Sequence, residues 1–198
     1  MMSIRLLLVF ATVALSGCTA STSPTEVVPS NQLDQATLAV MEQMDREKAP
    51  ADIAGRIDAQ RAFYGEWNDR RLEEMRQGFS TTDRRVTIGG VPVDIVEPSE
   101  GVAPRNENRV LINVHGGAFM WGAGSGALVE SIPIAATMGI RVVAVDYRLA
   151  PEHRYPAVSE DVTAVYSALL ADYPAANIGI YGCSAGGIAT AQSVAWMA

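Results

Sequence analysis

The chain has 198 residues, 48% of them hydrophobic and 19% charged, which is enough for one folded domain with a buried core. Its formal net charge is −7, and no run of Lys and Arg offers a phosphate-neutralising surface, so nucleic acid is excluded as an expected partner. Two Cys (18 and 183) and two His (115 and 153), all far apart, give neither a disulfide framework nor a metal-ligand set.

In chain order, the first segment is a leader. Met1 to Arg5 carry one positive charge, and Leu6 to Leu15 form an apolar run too short to span a bilayer as a helix but of signal-peptide length. Leu15-Ser16-Gly17-Cys18 follows and resembles the bacterial lipoprotein signal, in which the Cys becomes the lipidated first residue. A plain secretory signal with an incidental Cys is the simpler alternative. The expectation is an exported protein of the bacterial cell envelope, anchored through Cys18, or otherwise periplasmic or secreted. Its only membrane contact would be that anchor. Residues 19–32 are rich in Ser, Thr and Pro and read as a flexible tether.

Leu33 to Lys48 has apolar residues at helical spacing, with Ser30 or Asn31 as the expected cap and Pro50 as the stop. Ile53 to Phe79 reads as a second helix ending near Gly78, with Ile57, Tyr64, Trp67, Leu72 and Met75 on one side. This stripe suits a core or a cap over a pocket, and spacing does not separate the two. Residues 33–79 are therefore taken as N-terminal cap helices and 80–198 as the main domain.

From Arg85 to Val96, β-branched residues flank Gly89-Gly90, a hairpin signal. Residues 99–108 are a polar loop. Val110 to Val114 and Arg141 to Val145 are short apolar runs of the kind buried on both sheet faces, and Asn177 to Tyr181 is a third strand. Helices are expected at Leu128 to Met138, at Ser159 to Ala171 with Ser159 as its start, and at Ala185 to Met197. Alternating strands and helices imply an α/β fold with a mostly parallel sheet and helices on both faces.

Three segments carry chemistry. Gly182-Cys183-Ser184-Ala185-Gly186 is a G-x-S-x-G between a strand and a helix, the context of a nucleophile elbow. Gly182 and Gly186 leave room for the sharp turn that exposes the Ser184 hydroxyl. The helix behind it favours developing negative charge. His115-Gly116-Gly117-Ala118-Phe119 follows a strand, and its two Gly allow backbone N–H groups to face an oxyanion. Asp146 to His153 (DYRLAPEH) reads as a charged, Pro-fixed turn that buttresses that loop, Asp146 included, with no catalytic role.

In this order, HGGAF, DYRLAPEHRYPA and GCSAGG resemble the hormone-sensitive-lipase-like family of α/β-hydrolases, of the bacterial acetyl esterase and lactone hydrolase type. The resemblance runs from about residue 85 to 198. It implies a carboxylic-ester hydrolase for short or medium acyl chains, acting on a small-molecule ester. Ser184 would be the nucleophile, and the N–H groups of Gly116, Gly117 and Ala185 the oxyanion hole. His115 would shape its loop rather than serve as the base. Cys183 stands where the family usually has Asp, and is expected to be a small packed residue rather than a second reactive group. No cofactor-binding loop is present.

In this fold the triad acid and His follow the nucleophile. The fourteen residues after Ser184 contain no Asp, Glu or His, and His153 lies upstream in a turn. The expectation is a chain incomplete at the C-terminus, through a truncated gene or a partial sequence rather than completion by another polypeptide, and inactive by itself. Without its base, a Ser hydrolase loses turnover by about a million-fold. A non-catalytic, small-molecule-binding relative is the alternative function. A peptidase or thioesterase on the same fold is disfavoured by the HGGAF segment.

Overall fold

The computed structural model describes residues 33–198. The expected leader, Cys18, the tether and the two candidate caps Ser30 and Asn31 lie outside the described residues.

The described chain divides into two compact units, with the boundary between Lys48 and Ala49. The first contains helix α1 (Gln35–Arg46), whose start is capped by Asp34: its carboxylate accepts from the Thr37 N–H at 2.7 Å. The second unit opens with a short 3₁₀ turn (Ala51–Ile53) and helix α2 (Ile57–Gly78). The helix starts later than the apolar spacing suggests because Gly55, at φ +77°, turns the chain before it. Gly78 ends it, and Phe79 passes straight into extended backbone.

Strands β1 (Thr81–Ile88) and β2 (Val91–Pro98) form the hairpin, longer than expected at both ends. Gly89 and Gly90 both have positive φ, +60° and +83°, as a two-residue I′ turn requires. Strands β3 (Val110–Val114), β4 (Arg141–Val145) and β5 (Ile178–Gly182) alternate with helices α3 (Ser125–Met138), α4 (Ala157–Leu169) and α5 (Ala185–Met197).

The sheet order is β1-β2-β4-β3-β5. β4, β3 and β5 are parallel, whereas β2 pairs antiparallel with both β1 and β4. The sheet is thus mixed rather than mostly parallel. A two-residue turn can join only antiparallel strands, so the hairpin brings β1 and β2 in together.

Period-two alternation divides the core. Val93, Ile95, Val110, Ile112, Val114, Val143 and Val145 face one way and pack with Val158, Val162 and Val165 of α4 and Ala189 of α5. Val96 and Val142 face the other way and pack with Leu128, Ile132 and Ala135 of α3 and Leu72 of α2. Each fully buried Val or Ile contributes roughly 1.5–3 kcal/mol by leaving water, so the two clusters set the register and hold helices on both faces.

Ser159 does not start α4. The helix begins two residues earlier, after Pro156, and the Ser159 hydroxyl is buried without a hydrogen-bond partner among the described residues. Asp161 takes the role of local anchor, accepting from the Arg148 backbone N–H at 2.8 Å and from its side-chain Nε at 2.9 Å.

Candidate active site

Ser184 stands between β5 and α5 with φ +53° and ψ −123°, a conformation strained for a residue with a side chain. The flanking glycines make this turn possible. A Cβ on Gly182 would lie 2.3 Å from the Val114 carbonyl oxygen, and one on Gly186 only 1.9 Å from the same atom. The elbow is therefore pressed onto the end of β3, and the packing pushes residue 184 outward. Ser184 is exposed and faces a cleft of about 440 Å³ that Gly116, Gly117 and Ala118 also line.

The loop after β3 is strained as well. Gly117, Ala118 and Phe119 follow one another at φ +113°, +52° and +63°. The loop folds on itself, the Gly117 carbonyl accepting from Met120 and Trp121 N–H. No Cβ fits at Gly117, since the Trp121 carbonyl oxygen would be 2.1 Å away. The loop and elbow abut: a Cβ on Gly116 would sit 3.0 Å from the Cys183 carbonyl oxygen and 3.5 Å from the Ser184 Cβ.

The backbone amides do not match the expected donor set throughout. The Gly116 N–H donates to Glu130 Oε1 at 2.9 Å, so it is committed and does not face an oxyanion. Among the described residues, the N–H groups of Gly117, Ala118 and Ala185 have no acceptor. The sequence could not show this, because the displacing acceptor comes from α3.

His115 is fully buried, its ring stacked on Tyr147 with centroids 4.2 Å apart. Burial lowers its pKa, which keeps the ring neutral. Its Nδ1 lies 2.7 Å from the Gly116 carbonyl, an acceptor, so the proton sits on Nδ1. This is a loop-shaping contact. His153 lines a different cleft, with Phe119 and Tyr155, and Ser184 makes no hydrogen bond through its side chain among the described residues. Neither His is placed as a base for Ser184.

The DYRLAPEH segment does buttress the loop. The Tyr147 hydroxyl donates to the His115 carbonyl at 2.8 Å, and the Ala150 N–H to the Phe119 carbonyl at 2.8 Å. Asp146 itself points elsewhere, forming a close ion pair with Arg85 of β1, which also holds Asp94 at 2.9 Å. Cys183 is exposed, contrary to the expectation of a packed residue, because the sharp turn lifts the side chain beside Ser184 out of the core.

Several contributors carry no local sequence signal. From α2, Arg61 donates to the Met120 carbonyl at 2.8 Å, the Ala150 carbonyl at 2.9 Å and both oxygens of Glu152 at 2.8 and 2.7 Å. It thereby ties α2 to both loops. Tyr64 stacks on Trp121 with centroids 4.4 Å apart, and the Arg71 guanidinium lies 3.8 Å over the Trp67 ring. The stripe on α2 thus serves both purposes left open by its spacing. Leu72, Met75 and Phe79 pack into the core, while Tyr64, Trp67, Asn68 and Arg71 wall the cleft. Among the described residues, no group of three or more His, Cys, Asp or Glu could hold a metal, and no helix is long and apolar enough to cross a membrane.

Residues 111–198 match a family model described as the α/β hydrolase fold. An acetyl-hydrolase of Streptomyces hygroscopicus is 33% identical over 108 residues, which cover 54% of this chain and 34% of that relative. A crystal structure of an esterase called E25 superposes with a TM-score of 0.66 at 29% identity, covering 85% of this chain and 53% of that one. An esterase of the bacterial hormone-sensitive lipase family gives 0.67 at 26% identity, covering 83% and 53%. The chain thus spans about half the length of these solved structures, and its aligned part about a third of the curated relative. Residues 111–198 thus match the α/β hydrolase fold, and the chain is similar in sequence and in structure to esterases, one of them of the bacterial hormone-sensitive lipase family.

Proposed function

We propose that this chain supplies the nucleophile and the oxyanion donors of a carboxylic-ester hydrolase for short or medium acyl esters. The carrying observation is that a strained, exposed Ser184 shares one cleft with a loop whose Gly117 and Ala118 amides have no acceptor among the described residues. Ser184 Oγ attacks the ester carbonyl and forms the new C–O bond as a base takes its proton. The tetrahedral oxyanion is held by the N–H groups of Gly117, Ala118 and Ala185 at the N-terminus of α5. Collapse breaks the ester C–O bond, and the alcohol leaves with the proton. Water then attacks the acyl-serine, releasing the acid and restoring the hydroxyl.

The test is hydrolysis of p-nitrophenyl acetate and butyrate by the protein as its gene encodes it. Ser184→Ala should remove the activity while leaving the unfolding temperature within a few degrees of wild type. Activity that survives this substitution refutes the assignment.

A further inference from the structure

Among the described residues, the charged side chains lining the cleft are those of Glu130 and Arg71. An anionic carboxylate close to a developing oxyanion opposes the reaction unless it performs some other task. Its contacts indicate one. Oε1 accepts from the Gly116 N–H at 2.9 Å and Oε2 from the Asn113 side-chain amide at 3.0 Å. Asn113 is on β3 and fully buried, and Glu130 is on α3, so the pair links sheet and helix directly beneath the turn into the loop.

The loop needs such a fixture. Three successive residues at positive φ, two of them not glycine, do not hold that shape on their own. Gly116 is the residue that leads into them. Its carbonyl is held by His115 Nδ1 and its N–H by Glu130, so its peptide planes are set on both sides. With that orientation established, the next two amides are left without acceptors among the described residues.

We infer that Glu130 is the positioning residue of the oxyanion loop: by capturing the Gly116 amide, it turns those of Gly117 and Ala118 toward Ser184. The property used is a fixed acceptor, not a negative charge. This rests on the ester-hydrolysis reading above.

Two conservative variants separate acceptor from charge. Glu130→Gln keeps an acceptor at the same reach and loses the charge. Its amide then faces Asn113, whose Oδ1 is buried without a hydrogen-bond partner among the described residues and can receive it if the Asn amide turns over. Glu130→Asp keeps the charge but withdraws the acceptor by one methylene. With p-nitrophenyl butyrate, E130Q should retain kcat within about threefold of wild type, or exceed it. E130D should lose roughly 10–100-fold in kcat with KM unchanged, less than the roughly 100–1,000-fold of a deleted oxyanion donor because the amides are displaced rather than removed. Amide hydrogen exchange at Gly116 should be near wild type in E130Q and roughly tenfold faster in E130D.

The reverse pattern, with E130D active and E130Q inactive, makes the charge the working element and overturns the inference. So does full activity in E130D when its Gly116 amide exchanges fast. If wild type shows no Ser184-dependent hydrolysis, the ester-hydrolysis reading fails on that control alone, and exchange at Gly116 still decides whether Glu130 holds the loop.

Discussion

Replacing Arg61 with Ala tests whether α2 is latched onto the site or merely lies beside it. The guanidinium makes two hydrogen bonds to main-chain carbonyls, those of Met120 and Ala150, and a two-pronged contact with Glu152. A hydrogen bond from a charged donor contributes about 1.5–3 kcal/mol. The Arg61 side chain is 29% exposed, so water replaces part of what is lost, and about 2–4 kcal/mol is expected for the two carbonyl contacts. In a domain of this size that corresponds to a fall of roughly 5–15 °C in Tm. Arg61→Lys should recover less than half of it, because one ammonium cannot reproduce a planar fork.

The pH dependence adds a second constraint. Arg61 is the main cause of a Glu152 pKa lowered from 4.5 to about 2. A carboxylate with a depressed folded value adds stability that is complete above about 4.5 and lost as pH falls through about 2. The gap in unfolding temperature between wild type and R61A should therefore narrow on acidification from pH 5 to pH 2. Thermal unfolding followed by circular dichroism reads both effects. A Tm change under about 2 °C at pH 7, or a gap that stays constant down to pH 2, refutes the latch.

Two other substitutions probe the loop directly. Gly122 has φ +99°, and a Cβ there would lie 2.3 Å from the Gly116 carbonyl oxygen and 2.7 Å from His115 Nδ1. Gly122→Ala should cost about 1–3 kcal/mol in strain and lower p-nitrophenyl butyrate hydrolysis at least tenfold, and an unchanged rate would show that the loop tolerates displacement. Tyr147→Phe removes the donor to the buried His115 carbonyl and should cost about 1–3 kcal/mol in urea unfolding. A loss below about 0.5 kcal/mol would mean that water satisfies that carbonyl.

The residues that announce chemistry are local. A glycine two positions either side of Ser184, and a glycine pair after Val114, are demanded by backbone sterics within a few residues, so they stand out in the sequence. The strands at Val110 to Val114 and Arg141 to Val145 are equally plain, since burial on both faces leaves an unbroken apolar run. The helix at Ala185 to Met197 follows from the elbow that opens it.

What remained hidden depends on partners distant in sequence. Glu130 looks like one acidic residue in a helix, and only the packing of α3 against β3 brings it onto Gly116, 14 positions away. Arg61 reaches residues 59 and 91 positions on, and nothing near it in the chain foretells that. The strand order places β4 between β2 and β3 and makes the sheet mixed, a result of competition among pairings rather than of any single strand.

The sequence by itself therefore determined most of the elements, the sharp turn at Ser184 and the glycine loop that faces it, because steric demands act on neighbours. The tertiary structure alone decided which amides stay free to donate and which helix face becomes cleft wall. A hydrogen bond to a distant carboxylate or carbonyl exists only once the layers have packed.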